Sequence, residues 1–296
     1  MIQTIDLNFL NEPQSIASYL IKTNQNTPIL IETGPHSSLK NLQNELAKQE
    51  VNWKDIKHVF LTHIHLDHAG AAWAFAENGA NIYVHPAGLS HLARPEKLME
   101  SAKRIYQDKM DYLWGQMKPI PENQLIGVEN EQVFKFDNVE LKAWHTPGHA
   151  IHHIAWQFEK NIFTGDVAGV KIGTGPTVAP MPPPDIDIEA WEKSIEILRN
   201  LKADKFYLTH FGEVTEIEKH LNDLHQNMKH LSEWILVEWQ KGKSIEEITP
   251  LFDEYCKQEL LKQNVDNQTL TRYQYANPAW MSVAGLVRYW KKKIGA

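Results

Sequence analysis

The residues with the greatest chemical capacity stand close together. His63-Ile64-His65-Leu66-Asp67-His68 delivers four potential metal ligands within six residues. It follows a buried β run, and an extended backbone there would put residues 63, 65 and 67 on one side. Three more donors come later, each just past a predicted strand: His149 in Thr146-Pro147-Gly148-His149, Asp166 in Phe163-Thr164-Gly165-Asp166, and His210 in Leu208-Thr209-His210-Phe211-Gly212. Imidazoles 63, 65 and 149 suit one borderline-soft divalent ion; Asp67, His68 and His210 suit a second; the Asp166 carboxylate can bridge the two. Two other readings stay open, Asp166 as a helix N-cap and His210 as a buried structural histidine. Two such ions about 3.5–4 Å apart would bring the pKa of a shared water toward neutrality, so hydrolysis needs no Ser or Cys nucleophile. Asp67, a ligand with a free oxygen, is then a candidate to carry the proton to the leaving group.

The remaining histidines offer no comparable grouping. His220, His225 and His230 recur every five residues, which turns each about 140° from the last on a helix, so they are read as surface residues. His36, His58, His85, His91 and His145 lack a partner at ligand spacing and are read as structural. His152 and His153 are adjacent on a predicted strand, so at most one would point toward the site.

The elements that must position the donors alternate between sheet and helix. Segments 1–7, 16–22 and 28–32 read as an antiparallel start to a sheet, 37–49 as an amphipathic helix through Leu39, Leu42 and Leu46, 57–62 as a buried strand, 69–77 as a small-residue helix, and 81–85 as a strand. Residues 86–121 read as a helical insertion, with Tyr106, Tyr112 and Trp114 among its aromatics. Strand signals return at 133–136, 139–144, 154–158 and 161–164, a second sheet. Residues 167–185, rich in Gly and Pro, form a long ordered loop, the kind that is often functional. A helix over 188–201, a strand over 206–209 and a helical tail complete the chain, dividing it into a core over 1–216 and an extension over 217–296. Aromatics of the insertion and of the tail (Tyr273, Tyr275, Trp280) could line a pocket, but such spacings are more often plain core.

Composition narrows the function classes. The chain has 296 residues, 42% hydrophobic, with 37 acidic against 30 basic residues and a net charge of −7. That balance argues against a nucleic-acid partner. A start of MIQTIDLNF is too acidic and too short in apolar residues for a signal peptide, and no apolar run spans a membrane, so a cytoplasmic protein without a membrane partner is expected. Cys256, the single cysteine, leaves no intrachain disulfide and no Cys-rich zinc site.

Thr62-His63-Ile64-His65-Leu66-Asp67-His68-Ala69-Gly70, Thr146-Pro147-Gly148-His149, Phe163-Thr164-Gly165-Asp166 and His210 resemble the metallo-β-lactamase superfamily in content and order, over about residues 29–212. The resemblance implies an α/β fold, an αββα sandwich, with a dinuclear metal site at one edge, zinc first and iron or manganese as alternatives. It places Ile31-Glu32-Thr33-Gly34 at the family's early Asp-x-Gly turn, with Glu32 supporting the ligands. His153 falls where relatives of the glyoxalase II and lactonase type carry a second histidine, and His152 replaces a usual Gly. Pro182-Pro183-Pro184-Asp185 and Tyr275-Ala276-Asn277-Pro278-Ala279-Trp280 resemble stand-alone hydrolases of this fold with a helical C-terminal extension. Departures concern the substrate: Val167, Ala168 and Gly169 stand where lactonases often place a Tyr, and Lys291–Lys293 read as a solvated helix end rather than a glutathione patch.

The expected activity is hydrolysis of an ester, thioester, lactone or related bond of a small molecule, with self-association into a homo-oligomer compatible with the sequence. Two rivals share the motifs. One is a mononuclear non-haem iron persulfide dioxygenase using His63, His65 or His149 with Asp166; the other is a low-turnover metal-containing binding or effector protein.

Overall fold

Short apolar runs in the first half of the chain build a sheet whose alternate residues face opposite ways. The computed structural model describes residues 1–25 and 27–295. They group into two units, Met1–His145 with His152–Thr164, and Thr146–Ile151 with Gly165–Ala296.

In the first unit β1 (Ile2–Asp6), β2 (Ala17–Lys22) and β3 (Pro28–Ile31) pair antiparallel, as expected from the sequence, and β4 (His58–Phe60), β5 (Asn81–Val84) and β6 (Leu125–Gly127) continue the sheet in parallel. Register aligns Leu30, Val59 and Ile82 in one row and Ile31, Phe60 and Tyr83 in the next. With a period of two, the rows serve different cores. Leu30, Val59 and Ile82 join the cluster containing Leu42 and Leu46 of α1 (Leu39–Lys48) and Phe75 of α3 (Ala72–Glu77). Phe60, stacked on Tyr83 at 4.2 Å, meets the edges of Phe134 and Trp156. Those two residues lie on β7 (Val133–Phe136) and β9 (Ile154–Phe158), which with β8 (Val139–His145) and β10 (Asn161–Gly165) form the antiparallel second layer. Trp156 Nε1 donates to the Leu61 carbonyl at 2.9 Å, tying the layers together beside the first donor motif. The insertion carries α4 (Leu89–Ala93), α5 (Glu96–Tyr106) and α6 (Met110–Leu113), with Leu92, Ala102 and Met110 buried in the helix-side core. Tyr106 and Trp114 pack there as core; Tyr112 is exposed.

In the second unit α7 (Ile188–Asn200) begins at an Asp187 cap, β11 (Lys205–Leu208) pairs antiparallel with β12 (Gly212–Val214), and α8 (Ile217–Gln240), α9 (Ile245–Lys262), α10 (Asn267–Ala276) and α11 (Ala279–Ile294) follow. Residues 167–185 hold no helix and fold back on themselves through a bridge between Val170 and Val178. Among the described residues no helix is long and apolar enough to cross a membrane.

Three sequence expectations change. The extended run through His63–Asp67 is interrupted, because α2 (Leu66–Ala69) starts immediately after His65 and puts Asp67 and His68 on a helical turn. Strands β6 and β12 escaped detection, each being three residues long and without an apolar alternation. His220 is 3% exposed rather than on the surface. Its Nε2 donates to the Ala168 carbonyl at 2.7 Å, and its Nδ1 accepts from the Thr177 hydroxyl at 3.1 Å.

Burial pushes the His220 imidazole down from 6.5 to about 4, helped by Lys171 and Lys219 and opposed by the Ala168 carbonyl and Asp223. With the folded pKa depressed, the unfolded chain takes up this proton first. Its stabilising contribution is therefore present above pH 6.5 and lost as pH falls toward 4, up to about 3 kcal/mol. Urea unfolding of metal-depleted wild type and His220→Gln should show a wild-type advantage at pH 7 that shrinks steadily toward pH 4; a constant gap would contradict this account.

Candidate metal centre

The first unit gathers four of the seven predicted donors at the ends of β3 and β4. His63 Nε2 and His65 Nδ1 lie 2.8 Å apart, the His63 and His68 rings 3.9 Å apart, and Asp67 Oδ2 lies 3.8 Å from His68 Nε2. His63 and His68 are fully buried. Thr62 Oγ1 holds His63 Nδ1 at 2.9 Å, which leaves Nε2 turned toward His65.

Glu32 organises this cluster. It is 1% exposed with φ +64°, a left-handed conformation that costs a non-glycine residue about 1–2 kcal/mol. The twist aims its carboxylate at two strand ends. Oε1 accepts the Thr62 N–H at 2.9 Å, and Oε2 lies 3.4 Å from His68 Nδ1. The following turn holds the His68 carbonyl with three donors, the N–H groups of Thr33 and Gly34 and the Thr33 hydroxyl, at 2.9 to 3.1 Å. Gly34 has φ +67°, a conformation that strains any side chain, and a Cβ there would lie 2.0 Å from Leu7 Cδ1, so Leu7 would have to move as well.

The second unit gathers the other three donors around one carboxylate. His149 Nε2 lies 3.4 Å from Asp166 Oδ2, and His210 Nε2 lies 3.5 Å from Asp166 Oδ1. All three are buried. His149 Nδ1 is 2.9 Å from the Pro180 carbonyl, so it carries the proton and leaves Nε2 with its lone pair. The Thr146-Pro147-Gly148-His149 turn is seated on α7. Ser194 donates to the Pro147 carbonyl at 2.5 Å, the Asp187 N–H donates to Gly148 O, and a Cβ on Gly148 would lie 2.3 Å from Trp191 Cα. Trp191 packs edge-on to His149 at 5.6 Å and donates to the Val167 carbonyl at 2.7 Å, bracing both sides of the carboxylate. Asp166 does not cap a helix; the next one, α7, is capped by Asp187, whose side chain accepts from Ala190 N–H.

Each cluster presents buried imidazole lone pairs and carboxylate oxygens to one another, with the opposite ring nitrogens of His63 and His149 held by protein acceptors. That donor set fits a borderline divalent cation and is costly to bury without one. Strand alternation fails at His152 and His153. β9 begins at Ile154, the pair lies in the preceding turn, and both rings approach His63, at 6.1 and 5.0 Å between centroids. His85 and His145, read separately as structural, pack with ring centroids 4.2 Å apart and planes tilted by 47°, and burial with the neighbouring ring pushes His85 down to about 4. The Pro180 carbonyl and Trp191 were not legible as site residues, since a backbone acceptor and an indole inside a helix pattern carry no local signal.

Comparison with known proteins covers the same span. A sequence profile of the metallo-beta-lactamase superfamily matches residues 11–210, which include all seven donors. The metallo-beta-lactamase fold-containing protein ST1585 of Sulfurisphaera tokodaii is 26% identical over 215 residues, 71% of this chain and 78% of its own. The crystal structure of the metallo-beta-lactamase family protein TTHA1429 from Thermus thermophilus matches with a TM-score of 0.66 at 18% identity, over 100% of this chain and 94% of that one, and speaks for the fold. The thioesterase pkgB of Emericella nidulans is 28% identical over 201 residues, 67% of this chain; the chain thus spans 46% of that relative's length.

Glu32→Gln removes the carboxylate charge facing His68 while keeping an acceptor for Thr62. Zinc affinity, measured by competition with a chromogenic chelator, should fall by about tenfold or more; an unchanged affinity would show that Glu32 serves only the backbone turn.

Proposed function

Since the chain belongs to the metallo-beta-lactamase superfamily, we propose that it is a metal-dependent hydrolase acting on the acyl bond of a small molecule, a thioester first among ester, thioester and lactone. The observation that carries this reading is the donor set itself, largely buried His and Asp side chains, with Thr62 and Pro180 holding the far nitrogens of His63 and His149 and Glu32 facing His68. In this proposal His63, His65 and His149 would hold one divalent cation and Asp67, His68 and His210 a second, with Asp166 as a ligand available to both, zinc being the first candidate. Bound cations would supply a water of near-neutral pKa and a Lewis acid for the substrate carbonyl oxygen.

The chain's own residues do the rest. The carboxylate of Asp67, with a side chain 21% exposed where the other donors of its unit at 63 and 68 are closed off, takes the proton at an oxygen and passes it to the leaving sulfur or oxygen. His153, packed 5.0 Å from His63, and Glu32, facing His68, keep those rings in place. Cys256 is no competing nucleophile, because burial pushes its thiol up to about 12, away from the reactive thiolate. The preference for a thioester draws on the named activity of the Emericella nidulans relative, of which this chain matches less than half.

Two tests follow. His65→Ala and Asp166→Asn should each lower kcat/KM for an acyl thioester by at least about a thousandfold while leaving a cooperative thermal transition, a loss of about 4 kcal/mol of transition-state stabilisation; near-wild-type turnover in either would remove that residue from the centre. Elemental analysis of protein purified without a His tag or added metal should find about two zinc, manganese or mixed ions per chain. A single iron per chain would instead favour persulfide oxidation at a mononuclear site.

A further inference from the structure

A cavity lies wholly within the second unit, among α8, α9, α10 and the segment that leaves Asp166. Its volume is about 180 Å³, and its apolar wall is built from Val178, Leu231, Phe252, Leu260, Leu270 and the ring of Tyr273. An apolar cavity of about 150 Å³ is already large enough to take up benzene and stays dry, because a water needs two to four polar partners.

Five of the polar side chains around this cavity are committed to protein partners. The Tyr273 hydroxyl donates to Pro176 O at 2.6 Å and accepts from Ile172 N–H at 3.1 Å. Asn227 accepts from Ala179 N–H, Asn277 donates to Ala179 O and accepts from Ser282, and His230 and Tyr255 bond to each other. What remains for an occupant is the apolar wall for its chain, and Asp253, Lys257, Glu259, Gln263 and Gln274 in the lining for a polar head.

We propose that this cavity binds the apolar chain of a small amphiphile, its fit being to an acyl chain of medium length. The site is joined to the donor cluster of its own unit. Val170 and Ile172, a few residues beyond Asp166, pack with Leu260, Leu270 and Tyr273 and against Phe211, the neighbour of His210. Lys171 N–H donates to the His210 carbonyl at 2.6 Å. An occupied cavity therefore braces the backbone that carries both Asp166 and His210. Binding itself requires neither metal nor turnover, so this inference stands or falls separately from the hydrolase reading.

Isothermal titration of the full-length protein, as purified, with octanoate and with 1-octanol should give saturable binding near one ligand per chain. Leu270→Trp, which fills the cavity, should weaken it by tenfold or more. No saturable binding of either probe, or equal affinity in a Leu270→Trp protein that melts like wild type, overturns the proposal. Should that variant not fold, an octanoate carrying a photoreactive diazirine is irradiated with the wild-type protein and adducts are mapped by peptide mass spectrometry. Adducts on peptides of α9 and α10 support the site; adducts confined to other segments, or none, overturn it. Comparing KM for octanoyl and acetyl thioesters then separates two sources of the same chain. A chain-length preference that Leu270→Trp abolishes marks a substrate tail, and octanoate binding with no such preference marks a free acyl ligand.

Discussion

The first unit depends on one buried carboxylate. Glu32 sits at the end of β3 with its backbone in the left-handed region, and from there it accepts the Thr62 N–H and faces the His68 imidazole. A carboxylate that is 1% exposed is tolerable only with such partners. Meeting that condition fixes three things together: where β3 turns, where the chain leaves β4, and how α2 presents His68. The same turn, through Thr33 and Gly34, grips the His68 carbonyl. Parallel pairing of β3 with β4 is what brings these ends side by side, in line with the rule that ligand sites of parallel sheets lie beyond the strand ends.

The second unit meets a similar demand with loop rather than sheet. Asp166, between two imidazoles, opens a stretch of about twenty residues without regular structure, which would be floppy if left alone. It is pinned at close range by the helices that follow. Gly169 is in left-handed conformation, where a Cβ would meet Leu224 of α8 at 2.7 Å. His220 of α8 holds Ala168 and Thr177, Tyr273 of α10 holds Pro176 and Ile172, and α11 lies so near that a Cβ on Gly285 would come 2.1 Å from Met181 O. These contacts give the helical tail a physical task. It is the surface on which the segment leaving Asp166 is moulded, and the apolar cavity among α8, α9 and α10 is part of the same wall.

The division between legible and illegible follows from range. Strands β1 to β5 and β7 to β11 and the main helices were readable because each is a local pattern of apolar spacing, strong enough to survive without context. Strands β6 and β12 were not, because a three-residue strand is defined by its neighbour's hydrogen bonds rather than by its own composition. His220 shows the same limit from the other side. Five-residue spacing describes a helix correctly but says nothing about which face an adjacent loop will cover, and Ala168 covers this one.

The seven candidate donors His63, His65, Asp67, His68, His149, Asp166 and His210 could be singled out from the chain's residues, since imidazole and carboxylate side chains are rare in such density and each lies in or just beyond a segment that follows a strand. So could the family, through the order of its motifs. Tertiary structure alone decided how each donor is aimed. The Pro180 carbonyl behind His149, the Thr62 hydroxyl behind His63 and the Trp191 indole between His149 and Val167 all reach across stretches that no local pattern couples, or use groups every residue possesses. Ligand identity is written in side-chain type, which a sequence states outright; ligand orientation is set by hydrogen bonds and packing between distant segments, which exist only once the chain has folded.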